Sequence, residues 1–297
     1  MPKIAYVPKK FSAASQKIID QANEIIGAYR TQGYHLTLRQ LYYQFVSRDL
    51  IPNNMKSYKR LGNIINDARL AGLIDWEAIE DRTRNLHELT AWESPQSIID
   101  ACASQFRVDL WAKQPVRVEV WIEKEALAGV FERVCDELRV PFFSCRGYTS
   151  QSEMWVAGMR LKRILRGKQK PIILHFGDHD PSGIDMTRDI IDRLQMFMGG
   201  VKLERLALNM EQVEEYNPPP NPAKTTDSRY QSYIEVYGEE SWELDALEPD
   251  VLGGLVRDFV ESVRDQALWD TAVEEEGEHR RLLGEVSNRW QELTGDL

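Results

Sequence analysis

Three acidic side chains follow two predicted strands of this chain, at the points where the strands end. The apolar run 172–176 is typical of a buried strand, and Asp178 and Asp180 come soon after it. The alternating segment 117–122 predicts another strand, which is followed by Glu123. In open α/β sheets, ligands bind beyond the carboxyl ends of the strands. Because carboxylate oxygens are ligands that Mg²⁺ and Mn²⁺ prefer, these residues predict a divalent metal site.

The Asp-His-Asp turn also has a structural interpretation. A carboxylate in a turn before a helix can cap the free N–H groups of that helix, and 184–197 has the apolar spacing of a helix. His179 separates Asp178 from Asp180 and could ligate a metal ion. As a polar spacer, it is expected to face solvent instead. The sequence leaves the metal-binding and the helix-capping interpretations open.

Strands and helices alternate through the central part of the chain. Beyond the strand 117–122, the pattern predicts a helix over 124–138, a strand and turn over 142–150, a helix over 151–166 and a strand near 201–208. This order predicts a mixed α/β fold with a parallel sheet. An acid at one strand end and Asp-x-Asp at another resembles the Toprim fold, which implies a Rossmann-like parallel sheet. We place this metal-binding domain at 115–297, including an acidic C-terminal extension.

The segment 1–114 has the pattern of a helical DNA-binding domain. Apolar spacing predicts helices over 13–30, 38–47 and 55–71, and 73–84 predicts a short hairpin. Three helices and a hairpin form a winged helix-turn-helix, whose third helix enters a DNA groove. A solvated helix face would carry a similar pattern of charges. The basic residues of the candidate DNA surface are Lys56, Lys59, Arg60, Arg69, Arg82 and Arg84.

The second predicted helix contains Arg39-Gln-Leu-Tyr42-Tyr43. This element resembles the Arg-Asp-Ile-Tyr-Tyr element of the topoisomerase VI A subunit and of its meiotic relatives that make double-strand breaks. The Pro-rich segment 219–229 and Trp-Glu-Leu-Asp-Ala-Leu at 242–247 resemble the C-terminal part of that subunit. The resemblance implies that Tyr43 is the nucleophile, that Arg39 assists it, and that a homodimer presents Tyr43 of one chain to the acids of the other. A spacing of four residues places Arg39 and Tyr43 on one helix face.

The resemblance further implies an enzyme of the topoisomerase type that cleaves duplex DNA by Mg²⁺-dependent tyrosine transesterification and leaves a covalent 5′-phosphotyrosyl break. Glu123, Asp178 and Asp180 would hold the metal ion, and Glu123 would also take part in catalysis. The chain contains no G-x-x-x-x-G-K-[ST] loop, so an ATP-driven reaction would need a separate ATPase subunit. Two alternatives stay open: a hydrolytic nuclease that uses the same acids, and a DNA-binding protein without catalysis.

Composition gives further expectations. The 297 residues carry a net charge of −10, which is concentrated in 201–297, while the rest of the chain is mildly basic. This asymmetry is compatible with a nucleic-acid surface on the N-terminal side. No apolar run is long enough for a membrane span and no signal-peptide pattern is present, so we expect a cytoplasmic, nucleoid-associated protein. The three cysteines form no CxxC pair, which argues against a zinc site.

Two charged stretches allow more than one interpretation. The basic cluster within 160–170 ends the predicted helix 151–166, where positive charge favours the helix dipole, but it could also contact phosphates. The acidic tail 271–297 matches no motif and is expected to be an exposed helix or a frayed end.

Overall fold

The structure, a computed structural model, describes residues 3–80, 91–290 and 292. Its N-terminal part packs three helices around one apolar cluster. The elements of this part are α1 (Ala13–Thr31), β1 (Leu36–Thr37), α2 (Leu38–Ser47), α3 (Met55–Leu70), β2 (Ile79–Glu80) and α4 (Pro95–Gln105). The first three helices agree with the prediction from apolar spacing to within one residue at each end.

The predicted hairpin at 73–84 lies only partly within the described residues. Residues 73–78 form turns and bends, and β2 pairs in parallel with β1 rather than antiparallel with a neighbouring strand. This pairing arises because Leu36 and Ile79 both enter the apolar cluster of the three helices. Residues 81–84 lie outside the described part of the chain, so the winged-helix assignment stays a prediction.

The central part alternates strands and helices. Its elements are β3 (Val116–Ile122), α5 (Ala128–Glu137), β4 (Phe142–Ser144), α6 (Gln151–Arg166), β5 (Lys170–Phe176), α7 (Pro181–Met198) and β6 (Lys202–Ala207). The four strands form one parallel sheet in the order β4-β3-β5-β6. The predicted mixed α/β class with a parallel sheet is therefore confirmed. The finer assignment to the Toprim fold stays a prediction.

Helices cover both faces of this sheet. Along β3, Val118 and Val120 join an apolar cluster with α5, whereas Trp121 points to the other face and joins a cluster with α6 and α7. Glu119 also points to the α6 side, where it is buried and accepts hydrogen bonds of 2.9 and 2.8 Å from the guanidinium of Arg160. Burial on both faces explains why the strands at the centre of the sheet are almost continuously apolar.

The C-terminal part of the chain first returns to the carboxyl edge of the sheet. Its later helices then pack against the rest of the protein. Its elements are α8 (Met210–Tyr216), β7 (Asn221–Pro222), α9 (Tyr230–Tyr237), β8 (Glu240–Ser241), α10 (Pro249–Val263) and α11 (Gln266–Asn288). The strands β7 and β8 pair antiparallel. Apolar residues of α10 complete the cluster on the α5 face of the sheet.

Residues 271–288 of the acidic tail are helical and mostly exposed, as the sequence predicts, but one side of this helix does not face solvent. Instead α11 packs along α4, and Trp269 and Ala272 enter the core. Glu276 is buried and accepts hydrogen bonds from Val108 N (3.0 Å) and Arg139 Nη2 (3.1 Å). The predicted division at 114/115 assigns α4 and α11 to different domains, although they contact each other; that division stays a prediction. Within the described residues, no helix is long and apolar enough to cross a membrane.

Candidate active site

Two glycines allow the acidic ends of β3 and β5 to approach each other. Glu123 N donates to Phe176 O (2.8 Å), which continues the pairing of the two strands beyond Ile122. Asp178 N then donates to Glu123 Oε2 (2.9 Å). A Cβ atom at Gly177 would lie 2.9 Å from Glu123 Oε2, and one at Gly183 would collide with the carbonyl oxygen of Asp178. The backbone of Asp178 therefore requires glycine at position 183, and Gly177 leaves room for the carboxylate of Glu123.

A distant segment of the chain closes over the Asp-His-Asp turn. His179 N donates to Trp242 O (2.8 Å), and Trp242 N donates to His179 O (2.9 Å), which forms an antiparallel bridge. Leu244 N then donates to Asp178 Oδ1 (2.8 Å). These bonds bring two further carboxylates to the acidic turn, those on either side of Leu244, namely Glu243 and Asp245.

Carboxylate oxygens of Asp178, Glu243 and Asp245 lie within 4.8 Å of one another and could hold a metal ion. We call these residues the acidic trio. Asp245 Oδ2 is buried and accepts no hydrogen bond, although Arg39 Nε lies 3.5 Å away. A buried oxygen without a hydrogen bond is costly; the ion pair with Arg39 offsets part of this cost, and a metal ion could offset the rest. The donor set fits a hard divalent cation such as Mg²⁺ or Mn²⁺, and which ion binds stays a prediction.

Lys124 lies among the three carboxylates. Its Nζ is 2.8 Å from Asp178 Oδ1 and 3.0 Å from Asp245 Oδ1, and it also contacts Glu243. Burial alone would lower the pKa of Lys124, but the three carboxylates raise it well above its usual value, so the ammonium is charged. Burial nevertheless raises the pKa values of Asp178 and Glu123. Lys124 and Arg39, which lies 3.6 Å from Glu243 and 3.5 Å from Asp245, together bring two positive charges to the three carboxylates of the trio.

The acidic trio shares only Asp178 with the predicted ligand set. Asp180 caps α7, because its Oδ1 accepts hydrogen bonds from Gly183 N (2.6 Å) and Ser182 Oγ (2.8 Å). The structural interpretation of this turn therefore applies to Asp180. The ligand roles predicted for Asp180 and Glu123 stay predictions.

The sequence predicts that His179 faces solvent, and this prediction is wrong. Its side chain is buried, with only 2% of the residue exposed. Its Nδ1 lies 2.7 Å from the hydroxyl of Tyr233, and its ring packs edge-on against Tyr233, Tyr237 and Trp242. Burial, together with the charge of Arg205, lowers the pKa of His179 to about 4, so the ring is neutral near pH 7. The histidine fixes the acidic turn against the aromatic residues that follow it in the chain.

Arg205 of β6 holds the backbone of the acidic turn through hydrogen bonds. No motif singles out this residue in the sequence. Its guanidinium is buried and donates to the carbonyl oxygens of Gly177 (3.0 Å), Asp178 (2.6 Å) and Gly183 (3.1 Å). It also donates to Thr187 Oγ1 (2.7 Å). The strand β6 also carries Lys202 and Glu204, so its composition does not single out Arg205 in the sequence.

The helix α2 places Arg39 and Tyr43 beside this site. The helix begins with a capping box, in which Gln40 N donates to Thr37 Oγ1 (3.2 Å) and Thr37 N donates to Gln40 Oε1 (2.8 Å). One turn separates Arg39 from Tyr43, and Arg39 Nη2 donates to the hydroxyl of Tyr43 at 3.4 Å. The helix packs against the short turn Leu244–Ala246, which carries one residue of the acidic trio.

Arg39 connects the tyrosine to the acidic trio within one chain. Its guanidinium lies 3.6 Å from Glu243 Oε2 and 3.5 Å from Asp245 Oδ2. Lys124 Nζ lies 5.9 Å from the centre of the Tyr43 ring. The resemblance implies a site that combines Tyr43 of one chain with the acids of a second chain. In this structure, Tyr43, Arg39 and the acids of a single chain lie together.

The two tyrosines of α2 have different environments. The hydroxyl of Tyr42 donates to Asn53 Oδ1 (3.0 Å) and Asn54 O (3.2 Å), both of which lie before α3. The hydroxyl of Tyr43 points to Arg39. Burial, Glu243 and Asp245 raise the pKa of Tyr43 to about 12, although Arg39 and Lys124 act in the opposite direction. Tyr42 therefore makes structural hydrogen bonds, whereas Tyr43 has cationic and acidic neighbours, and its role as a nucleophile stays a prediction.

A cavity of about 230 Å³ opens beside the two tyrosines. It is lined by Arg39, Tyr42, Tyr43, Asn53, Asn54, Met55 and Tyr58. The cavity adjoins the start of α3, where Lys56, Lys59 and Arg60 are exposed. Since the cavity includes the hydroxyl-bearing ring of Tyr43, an extended substrate lying along α3 could reach this residue.

The remaining predicted DNA-binding residues differ from those three. The guanidinium of Arg69 stacks on the ring of Trp76 at 4.8 Å and donates to the carbonyl oxygen of Trp76. Arg69 therefore makes contacts within the fold, and its predicted role in DNA binding stays a prediction. Arg82 and Arg84 lie outside the described residues.

Comparison of the chain with protein-family models finds no matching family, and comparison with curated proteins finds no similar protein. The resemblance to the topoisomerase VI A subunit therefore stays an expectation from the quoted motifs. Function is inferred below from the positions of Tyr43, Arg39 and the acidic trio.

Proposed function

We propose that this protein cleaves duplex DNA by transesterification, with Tyr43 as the nucleophile and Mg²⁺ as the cofactor, Mn²⁺ being able to replace it. A winged-helix domain would carry Tyr43, and a Toprim domain would carry the acids. The observation that supports this best is the position of Arg39, which contacts both the hydroxyl of Tyr43 (3.4 Å) and Asp245 of the acidic trio (3.5 Å). A phosphodiester bound there would meet the nucleophile, a guanidinium and the metal ligands together.

In the proposed reaction, Tyr43 Oη attacks a backbone phosphorus and forms an O–P bond, and the bond from phosphorus to the 3′ oxygen breaks. The phenol loses its proton, the 3′ oxygen takes up a proton, and the 5′ phosphate stays on the tyrosine. Because the pKa of Tyr43 is about 12, the phenol is protonated near pH 7 and must lose its proton during the attack.

The other side chains would stabilise charge and geometry. Arg39 would donate hydrogen bonds to the phosphate as its negative charge increases. Lys124 would hold the three carboxylates together, since its ammonium contacts all of them. Bound Mg²⁺ would neutralise negative charge at the phosphate and at the leaving oxygen. Glu123 would fix the acidic turn through its hydrogen bond from Asp178 N.

The proposed partners follow from the surface and from the product. Lys56, Lys59 and Arg60 are exposed on α3 and would contact the phosphates of duplex DNA with little sequence preference. Each chain has one Tyr43 at this site, so cleavage of both strands would require a homodimer. Strand passage driven by ATP would require a separate ATPase subunit.

A hydrolytic nuclease is the second candidate, because the acidic trio could hold a metal ion without any part played by Tyr43. A metal ion bound to the acidic trio could activate a water molecule, and that water would replace Tyr43 as the nucleophile. Both reactions use the same acids, but only transesterification leaves the protein covalently attached to DNA.

The deciding experiment incubates the purified protein with supercoiled plasmid and Mg²⁺ or Mn²⁺, stops the reaction with detergent and analyses the DNA with and without protease. We expect nicked or linear DNA that enters the gel only after protease digestion. Cleaved DNA that enters without protease would replace the transesterase with the nuclease. Plasmid that is bound but intact under all conditions would contradict both activities.

The contact between Arg39 and the acids of its own chain predicts a site that works in cis. We expect that mixing Tyr43→Phe with Asp178→Asn chains does not restore nicking, because neither chain then has a complete site. In a trans arrangement, each mixed dimer would combine the intact Tyr43 of one chain with the intact acids of the other. Nicking by the mixture, measured after subunit exchange has been confirmed with tagged chains, would therefore contradict the cis assignment.

A further inference from the structure

The outer surface of α6 combines an exposed tryptophan with three cations. Trp155 is 52% exposed. The helical spacing places Met159, Lys162, Arg163 and Arg166 on the same side of the helix as Trp155. They border an open groove of about 490 Å³ on the surface. We define the α6 surface by the residues Trp155, Met159, Lys162, Arg163 and Arg166.

The cations of this surface differ from the other arginine of the same helix. Arg160 is paired with the buried Glu119 and so has a role inside the fold. Within the described residues, Lys162, Arg163 and Arg166 form no ion pair. Three unpaired positive charges on one side of a helix attract an anion, although the protein as a whole has a net charge of −10.

The helix dipole explains only part of this composition. Arg163 and Arg166 lie in the last turn of α6, where positive charge is favourable in any helix. The dipole does not explain Trp155, which is near the other end of the helix and leaves half of its surface in water. An exposed indole on the same side as three cations is typical of surfaces on which bases stack and phosphates pair.

We propose that the α6 surface binds single-stranded nucleic acid, with a base stacked on Trp155 and backbone phosphates on Lys162, Arg163 and Arg166. Trp155 and Arg166 are separated by about 16 Å along the helix, which is enough for several nucleotides. A duplex keeps its bases stacked on one another and offers no base to the indole. An apolar protein partner would have to desolvate three unpaired cations, which is unfavourable.

The position of α6 relates this surface to the acidic trio without making it part of that site. Because the sheet is parallel, the helix begins near the carboxyl edge of the strands, where the acids lie, and runs to the opposite edge. Trp155 is thus nearer to the acidic edge than Arg166 is. Single-stranded nucleic acid bound along α6 would extend away from the acids. Its binding does not depend on cleavage by Tyr43.

Fluorescence anisotropy of a labelled oligothymidylate, titrated with the full-length protein over a range of salt concentrations, tests the proposal. We expect Trp155→Ala to weaken binding at least about fivefold, because base stacking is lost. Trp155→Phe should retain part of the affinity. The triple variant Lys162→Ala, Arg163→Ala, Arg166→Ala should lower the slope of log affinity against log salt by about two, since each phosphate contact on a single strand contributes about 0.7.

Two controls separate this surface from the rest of the protein. Arg281→Ala removes an exposed arginine that is paired on α11 and should leave oligothymidylate binding unchanged. The triple variant Lys56→Ala, Lys59→Ala, Arg60→Ala should weaken duplex binding more than oligothymidylate binding, and the α6 triple variant should do the reverse. The proposal is overturned by an unchanged salt slope in the α6 triple variant, by full affinity in Trp155→Ala, or by a duplex that competes as well as the oligothymidylate. None of these outcomes depends on whether plasmid is cleaved.

Discussion

Tyr43→Phe is expected to abolish protease-dependent DNA cleavage completely, because the phenyl ring has no oxygen to form the bond to phosphorus. The substitution removes one hydroxyl and leaves the neighbouring ring contacts in place, so the fold and duplex binding should be retained. Arg39 would still contact Glu243 and Asp245. Plasmid cleavage with and without protease, and duplex binding by anisotropy, are the measurements.

Tyr42→Phe is the matched control for this experiment. It also removes one hydroxyl from α2, but this hydroxyl makes structural hydrogen bonds to Asn53 and Asn54. We expect it to lower the free energy of unfolding by about 1 kcal/mol and to leave covalent cleavage intact. If Tyr42→Phe abolished the covalent product in a folded protein and Tyr43→Phe did not, the assignment of the nucleophile would be reversed.

Removal of the acidic trio is the second substitution with a large expected effect. Asp178→Asn and Asp245→Asn, separately or together, should reduce cleavage below detection and weaken the binding of Mg²⁺ and Mn²⁺. The physical reason is that each substitution removes one carboxylate charge from a set of three whose oxygens lie within 4.8 Å of one another. Calorimetric titration of Mn²⁺, in the absence of DNA, measures the affinity directly.

Thermal unfolding gives a second measure of this site. An ion that binds only the folded state stabilises that state. The unfolding temperature of the unmodified protein should therefore increase with the concentration of Mg²⁺. This increase should be absent in the double variant that carries both Asp178→Asn and Asp245→Asn. Glu278→Gln, which neutralises an exposed acid on α11, should respond to Mg²⁺ as the unmodified protein does. An equal response in all three proteins would place the metal elsewhere.

The sequence predicts those parts of the site that depend on local patterns. Alternating and continuous apolar runs locate β3 and β5, so the positions of Glu123 and Asp178 at the ends of two strands follow from the sequence; that the two strands are neighbours does not. The helical spacing around Leu38–Ser47 likewise predicts that Arg39 and Tyr43 share one face of α2. These features depend on residues that are close in the chain, for which periodicity is informative.

The features that the sequence does not predict depend on contacts between distant segments. Glu243 and Asp245 reach Asp178 because of the bridge between His179 and Trp242, and no periodic pattern encodes that pairing. Only the Glu-x-Asp spacing within Trp-Glu-Leu-Asp could have indicated them. The expected exposure of His179 is wrong for the same reason, since aromatic residues from more than fifty positions away cover its ring.

The acidic turn also anchors a detour of the chain at both ends. Leu208 N donates to Gly177 O (2.8 Å) where the segment 209–241 leaves the sheet, and Trp242 pairs with His179 where the segment returns. Departure and return are thus fixed to neighbouring positions, whatever the length of the segment between them. Lengthening such a segment costs only about 0.6 kcal/mol for each doubling. Insertions into this detour that leave α9 with Tyr233 and Tyr237 in place should therefore not change the distance between Asp178 and Asp245.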